Sequence, residues 1–217
     1  MTIQNFEKDE PRHAVADASP AISAPAALRN REVIAEALAD VLPEQGDVLE
    51  LASGTGEHVC LFADRFKRLT WQPTDVDAAR LSSIAAHASQ VALPNLFAPR
   101  HLDVTEPDWH ALSVDAILAI NLLHVAPEIV SEAVLTGAAQ VLRPGGVLCL
   151  YGPFTQNGVF NTDSNRQFND YLREQNPEWG LRDIATLDSL AMQGGLERIA
   201  LRDMPANNNF VVYRFPG

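Results

Sequence analysis

Val48-Leu49-Glu50-Leu51-Ala52-Ser53-Gly54-Thr55-Gly56-Glu57-His58 is the stretch from which the rest of the chain can be read. It starts as a short apolar run, passes one acid, breaks at two glycines spaced G-x-G, and continues into Val59-Cys60-Leu61-Phe62-Ala63. That order describes a buried strand, a tight turn and a helix, the opening of a βαβ unit. Glycines let the turn reach positive φ and let a ligand approach bare backbone. The helix that follows aims unpaired N–H groups over the turn.

A second acid, Asp75, lies 25 residues beyond Glu50 and closes Leu69-Thr70-Trp71-Gln72-Pro73-Thr74-Asp75, the next strand. A carboxylate at the tip of the second strand of a doubly wound sheet accepts hydrogen bonds from a ribose diol. The two acids and the glycine turn therefore point to an adenosine-containing ligand across the strand C-termini. A dinucleotide fingerprint needs a small third residue where this chain has Val59, and Glu50 sets negative charge where a pyrophosphate would lie. S-adenosylmethionine has no phosphate but carries a sulfonium and an ammonium, so acids beside the turn suit it.

The stretch Val48 to Gly56 resembles the first motif of class I S-adenosylmethionine-dependent methyltransferases, with Ala52 in place of the first of three glycines. The chain more closely resembles a small subfamily of methyltransferase-like proteins whose substrate is poorly defined. The carriers are Arg29-Asn30-Arg31-Glu32, Ala52 to His58, Trp71 to Asp75, Tyr151-Gly152-Pro153-Phe154, Asn176 to Gly180 and Met204 to Asn208. The resemblance implies an α/β fold, a three-layer Rossmann-like doubly wound sheet of seven strands with the last antiparallel. It implies a methyltransferase domain over residues 27–217 that takes S-adenosyl-L-methionine. Glu50, Ala52, Ser53, Gly54 and Gly56, with His58, would hold its methionine portion, Asp75 the ribose and Asp103 the adenine.

Composition narrows the partners. At 217 residues the chain suits one domain, and 47% hydrophobic content is ample for a core. Sixteen basic against 28 acidic side chains leave a formal charge of −12, which disfavours a nucleic-acid or anionic-membrane surface. A small-molecule acceptor is the expectation. Cys60 and Cys149 sit in apolar runs and read as buried thiols, with no metal site. No apolar stretch approaches about 18 residues, so no membrane span is expected and the setting reads as cytoplasmic.

Residues 1–26 mix charges with Ala, Ser and Pro and read as a flexible N-terminal segment, whose end has the alternative of folding over the ligand. Ala27 to Leu42 keeps helical spacing until Pro43. Arg29, Asn30 and Arg31 fall in its first turn, where cations oppose the helix dipole, so one of them is expected to meet the methionine carboxylate. Asp77 caps the helix after the second strand, and a strand over Phe97 to Leu102 carries Pro99, a residue suited to a sheet edge.

Val114 to Ile120 is apolar except for Asp115 and reads as a central strand. It delivers Asn121 and His124 to the ligand edge of the sheet. After a helix over Pro127 to Leu142, Arg143-Pro144-Gly145-Gly146 is expected to turn the chain into a strand ending at Tyr151. His124 and Tyr151 are the candidate catalytic residues, assisting deprotonation or orientation of the acceptor, and Asn121 borders both ligands. Either reading of His124 stands here, as an acceptor-pocket base or as a packed imidazole bonded to backbone. Phe168, Tyr171 and Leu172 argue for a helix over the sheet edge, Asp183 for a helix cap, and Leu196 to Leu201 with Phe210 to Phe215 for a final antiparallel pair.

Two other functions share these residues. A catalytically silent S-adenosylmethionine-binding module would keep the cavity and act through a partner. An NAD-binding oxidoreductase is opposed by Val59 and by the terminal strand pair.

Overall fold

The computed structural model describes residues 21–217 other than 108, 110 and 111. The first 20 residues of the expected flexible segment therefore lie outside the described residues. Helix α1 runs Pro25–Ala39, two residues earlier than its periodicity suggested, because Pro25 sits at the first helical position where its missing N–H costs nothing.

Strands β1 (Gly46–Leu51) and β2 (Leu69–Asp75) flank α2 (Glu57–Arg65), and α3 (Ala78–Val91) follows. Asp77 caps α3 as expected, its Oδ1 accepting from the N–H groups of Ala79 at 2.7 Å and Arg80 at 3.0 Å. The strand expected over Phe97 to Leu102 shrinks to β3 (Arg100–His101). Pro99 has no N–H to give, so the ladder lapses between the Phe97 bond to Trp71 and the pairing at Arg100. As the sequence implied, this strand lies at the sheet edge.

Strand β4 (Val114–Ile120) runs into a short 3-10 turn, Leu123–Val125, and then α4 (Glu128–Val141). Its one polar interruption has a structural purpose. Asp115 accepts the N–H of Asp47 and pairs with Arg143, which also bridges to Asp47 at 2.9 Å. Arg143 to Gly146, expected as a turn, are instead the irregular opening of β5 (Leu142–Gly152). Gly145 donates to the carbonyl of Phe215 and Gly146 accepts from its N–H, so the end of the chain zips this segment into the sheet.

Beyond β5 come β6 (Phe154–Gln156), β7 (Val159–Phe160), α5 (Asp163–Gln175), β8 (Arg182–Asp183) and α6 (Ile184–Gln193). Strands β9 (Glu197–Met204) and β10 (Asn208–Arg214) complete the chain. The main sheet has the order β3-β2-β1-β4-β5-β10-β9, and β10 is antiparallel to both of its neighbours. A small second sheet, β7-β6-β8, carries the insertion after β5. Within α5, Leu172 faces inward while Phe168 and Tyr171 stay largely exposed, so two of its three expected core residues are surface.

The sheet is covered on both faces. Val48, Trp71, Leu118, Tyr151 and Phe210 pack under α1, α2 and α3. Leu49, Leu51, Ile117, Leu150 and Val211 pack under α4 and α6. Alternation along β1 thus sends Glu50 to the α1–α3 side with Val48, beneath the glycine turn. Both cysteines are free and buried, and burial pushes the Cys60 thiol up to about 12. Among the described residues no helix is long and apolar enough to cross a membrane.

Candidate functional site

The turn after β1 is built from backbone in left-handed conformation, with φ of 50° at Ala52, 60° at Gly54 and 95° at Gly56. The two glycines serve different ends. A Cβ on Gly56 would stand 2.8 Å from the Cα of Ile84, so α3 closes over it. A Cβ on Gly54 would meet nothing within 4 Å and would project into open space. The turn is tied to β2 through Ser53 N–H to the Thr74 carbonyl at 2.7 Å and through Thr74 Oγ1 to the Glu50 carbonyl at 2.7 Å.

Asp75 completes the tie: its Oδ2 accepts from Gly54 N–H and its Oδ1 from Asp77 N–H, each at 3.0 Å. The carboxylate is thereby fixed over the strand ends with lone pairs to spare.

Above the C-terminal ends of β1, β2 and β4 lies a cavity of about 350 Å³. Glu50, Ala52, Ser53, Gly54, His58, Asp75 and Asn121, all expected from the sequence, line it together. Its opposite wall is Ala24, Ala26 and Ala27, at the start of α1. Glu50 is 1% exposed, and its Oε2 is buried without a hydrogen-bond partner. Desolvation, with the Asp75 carboxylate adding to it, pushes the Glu50 carboxyl up to about 8. At neutral pH this carboxyl therefore keeps its proton, and ionising it calls for a cation close by.

His58, in the first turn of α2, places Nε2 2.8 Å from Asn30 Oδ1. Burial, together with the nearby Arg31 guanidinium, brings its pKa down to about 4, so the ring is neutral and Nε2–H donates to the amide oxygen. Asn30 thus reaches the cavity wall through His58. Arg29 is exposed, whereas Arg31 is half-buried with an Nε that has no partner. Neither of these cations lines the cavity, whereas Arg80, in the first turn of α3, does.

Asp103 is not brought to this cavity. It borders another hollow of about 270 Å³ with Gln72, Thr74 and Arg100, and its Oδ1 accepts from both Thr105 N–H and Thr105 Oγ1. The Asp-x-Thr turn folds the acid back on its own loop.

Asn121 has φ of 55° and donates its N–H to the Tyr151 carbonyl. A Cβ on Gly152 would stand 3.3 Å from His124 Nδ1 and 3.6 Å from Asn121 Oδ1, so both side chains converge over this glycine. His124 is buried, lies edge-on to Phe168 with ring centroids 5.7 Å apart, and has no hydrogen bond to its ring among the described residues. Desolvation and then Arg182 bring its pKa down to about 4. Tyr151 lies on the sheet face toward α1, where burial raises its pKa while the Asn30 and Asn208 amides favour ionisation. The two catalytic candidates therefore approach Gly152 from different sides.

Sequence reasoning passed over Glu57 and Ser83, which hold the Ala24 to Ala27 wall in place. Their partners are backbone groups and a serine far away in sequence, which no local pattern marks.

The strand order, the inserted antiparallel β10 and the crevice above β1, β2 and β4 define the class: this is the fold of class I S-adenosylmethionine-dependent methyltransferases. Within it, the chain belongs to the family described as protein of unknown function (DUF938), whose model matches residues 21–215. It is similar to an O-methyltransferase family protein from Burkholderia thailandensis, at 15% identity and a TM-score of 0.75, over 87% of this chain and 56% of that one. A putative sarcosine dimethylglycine methyltransferase from Galdieria sulphuraria matches at 18% identity and TM-score 0.70, over 87% of this chain and 86% of that one. An O-methyltransferase family 2 protein from Planctomyces limnophilus, solved with apigenin, matches at 16% identity and TM-score 0.70, over 86% of this chain and 61% of that one. At these identities the likeness establishes the fold, and the chain spans little more than half the length of the first and third proteins.

Proposed function

We propose that this protein binds S-adenosyl-L-methionine in the cavity over β1, β2 and β4 and transfers its methyl group to a small-molecule acceptor. The observation that carries the reading is the Glu50 carboxyl, buried in the cavity wall with one oxygen unpartnered. A buried acid in that state is stabilised by a ligand cation and destabilised by a phosphate. An ammonium beside Glu50, with bare Gly54 backbone next to it, fits. A pyrophosphate there does not, which disfavours the NAD reading.

In this proposal Glu50 and the Ala52 to Gly56 turn hold the methionine portion, with Asn30 acting through His58. The spare lone pairs of Asp75 accept the ribose hydroxyls. When bound, S-adenosylmethionine would supply an already activated methyl for in-line transfer to the acceptor nucleophile, with S-adenosylhomocysteine as the leaving group. The protein's own contribution is then alignment, worth up to about 7–11 kcal/mol in well-oriented intramolecular cases. His124, neutral and without a hydrogen-bond partner, accepts the proton of an acceptor O–H or N–H; Tyr151 and Asn121 orient that group. The formal charge of −12 supports a small-molecule acceptor over nucleic acid or a membrane surface, in a cytoplasmic setting.

Calorimetry with S-adenosylmethionine and with NAD tests the cofactor. The expected result is heat with the first alone; micromolar NAD binding with no S-adenosylmethionine signal would sink the reading. Incubation with methyl-labelled cofactor and a metabolite extract then separates an enzyme, which labels a small molecule, from a silent binding module, which labels none.

A further inference from the structure

The wall formed by Ala24, Ala26 and Ala27 is held from behind, by side chains that do not line the cavity. Glu57, the first residue of α2, accepts from Ser23 Oγ through Oε1 at 3.0 Å and from Ala24 N–H through Oε2 at 2.8 Å. The same Oε2 accepts from Thr55 Oγ1 at 3.0 Å. One carboxylate therefore joins the glycine turn on one side of the cavity to the chain segment on the other. Ser83 makes a parallel tie, accepting from Ile22 N–H and donating to the Thr55 carbonyl, each at 2.9 Å.

Three features set this apart from an ordinary acid at a helix start. Glu57 is only 6% exposed, and the strap supplies two of the hydrogen bonds its carboxylate accepts. Helix α1 has no side chain of its own capping its first turn, so the Ala24 N–H depends on Glu57. The strap itself is Ala-rich and buries little apolar surface, with Ile22 40% exposed. Among the described residues its hydrogen bonds to the body are the two charge-assisted ones to Glu57 and the two at Ile22, from its N–H to Ser83 and from its carbonyl to the His87 ring at 3.0 Å, an arrangement that opens locally at low cost.

We propose that Glu57 is a positioning residue that latches residues 22–27 as a strap across the cofactor cavity, and that release of this latch sets the rate of cofactor exchange. The proposal rests on the S-adenosylmethionine reading of the cavity. Its two parts are measured separately.

Hydrogen exchange read by mass spectrometry needs no ligand. Glu57→Gln keeps the side-chain shape but removes the charge and one acceptor. It is expected to speed exchange at residues 22–28 by roughly 10–100-fold while β1, β4 and β5 stay as protected as in the wild type. Ser23→Ala, which removes a single bond, should give a smaller acceleration at the same residues. Dissociation of S-adenosylhomocysteine, followed by stopped flow, should accelerate in the same order, with association changed less. A merely structural Glu57 would loosen α2 and β1 together with the strap and leave dissociation per folded molecule unchanged. That result, or unchanged exchange at 22–28 in both variants, overturns the latch. Failure of the wild type to bind S-adenosylmethionine or S-adenosylhomocysteine overturns the gating of cofactor exchange along with the cofactor reading, while the exchange arm still decides whether Glu57 holds the strap.

Discussion

The Oδ2 of Asp75 accepts the backbone N–H of Gly54 at 3.0 Å, so the acid expected to meet a ribose also holds the glycine turn in shape. Its other oxygen holds Asp77 N–H, at the entry to α3. One buried carboxylate thus serves the fold and the proposed ligand at once.

Asp75→Ala is accordingly expected to weaken S-adenosylmethionine by roughly 1–3 kcal/mol and also to destabilise the ligand-free protein by about 1 kcal/mol, because the part-buried bonds from Gly54 N–H and Asp77 N–H lose their acceptor. Calorimetry and denaturant unfolding measure the two effects. Normal affinity in a destabilised variant would make the acid structural alone.

Gly54→Val is expected to abolish cofactor binding and leave a folded protein. A Cβ at this position meets no protein atom within 4 Å and starts the side chain into the cavity, although its φ of 60° strains a β-branched residue by roughly 1–2 kcal/mol. Gly56→Ala should act in the opposite sense, damaging the fold through the Ile84 contact at 2.8 Å. Circular dichroism and cofactor titration of the pair decide it; unchanged affinity in Gly54→Val refutes the ligand placement.

Ala52 carries a φ of 50°, a conformation in which an L side chain is strained. Ala52→Gly should therefore raise stability, by up to about 1 kcal/mol after the greater unfolded-state freedom of glycine is set against the relieved strain. Thermal or denaturant unfolding checks it, and a clear loss of stability would contradict the left-handed turn.

Glu50 has a folded pKa of about 8, above its unfolded value of 4.5. Its folded form keeps a proton that the unfolded chain releases, so this group makes the ligand-free protein less stable as pH rises from 4.5 through about 8. A cationic ligand needs the ionised acid. Binding of S-adenosylmethionine at pH 7 is thus expected to release close to one proton, and at pH 9 almost none. Calorimetry in buffers of different ionisation heat measures this, and Glu50→Gln should remove it.

His124 and His58 move the other way, each with a folded pKa of about 4 against an ordinary value of 6.5. Their contribution to stability is complete above pH 6.5 and is lost as pH falls from there through about 4. Imidazole NMR shifts against pH report both rings. Once an acceptor is known, His124→Asn is expected to lower turnover by about 10²–10⁴-fold with cofactor affinity nearly unchanged. Wild-type turnover per folded molecule would remove His124 from the chemistry.

Much of this architecture was legible along the chain because its causes are local. The apolar run ending at Glu50, the G-x-G turn, the acid closing β2 and the Asp77 and Asp183 caps each depend on neighbours a few residues away. Apolar runs and helical spacing then place β4, β5, α4, α5 and α6, and the short connection between β9 and β10 fixes the final antiparallel strand, whereas the small sheet β7-β6-β8 was not expected. The conversion of Arg143 to Gly146 into strand was not legible, since its partner is Phe215 at the far end of the chain.

The site divides in the same way. The sequence by itself determined that Glu50, Gly54 and Asp75 share one edge of the sheet, because strand length and turn geometry put them there. Only the tertiary structure decided that Glu50 is left with an unpartnered oxygen, that Asp103 folds back on Thr105, and that Glu57 ties the chain at Ser23 and Ala24 across the cavity. Burial and desolvation arise from every element packed around a group, and the Glu57 contacts span more than thirty residues. Such contacts depend on how helices lie against the sheet, a relation that no spacing along the chain encodes.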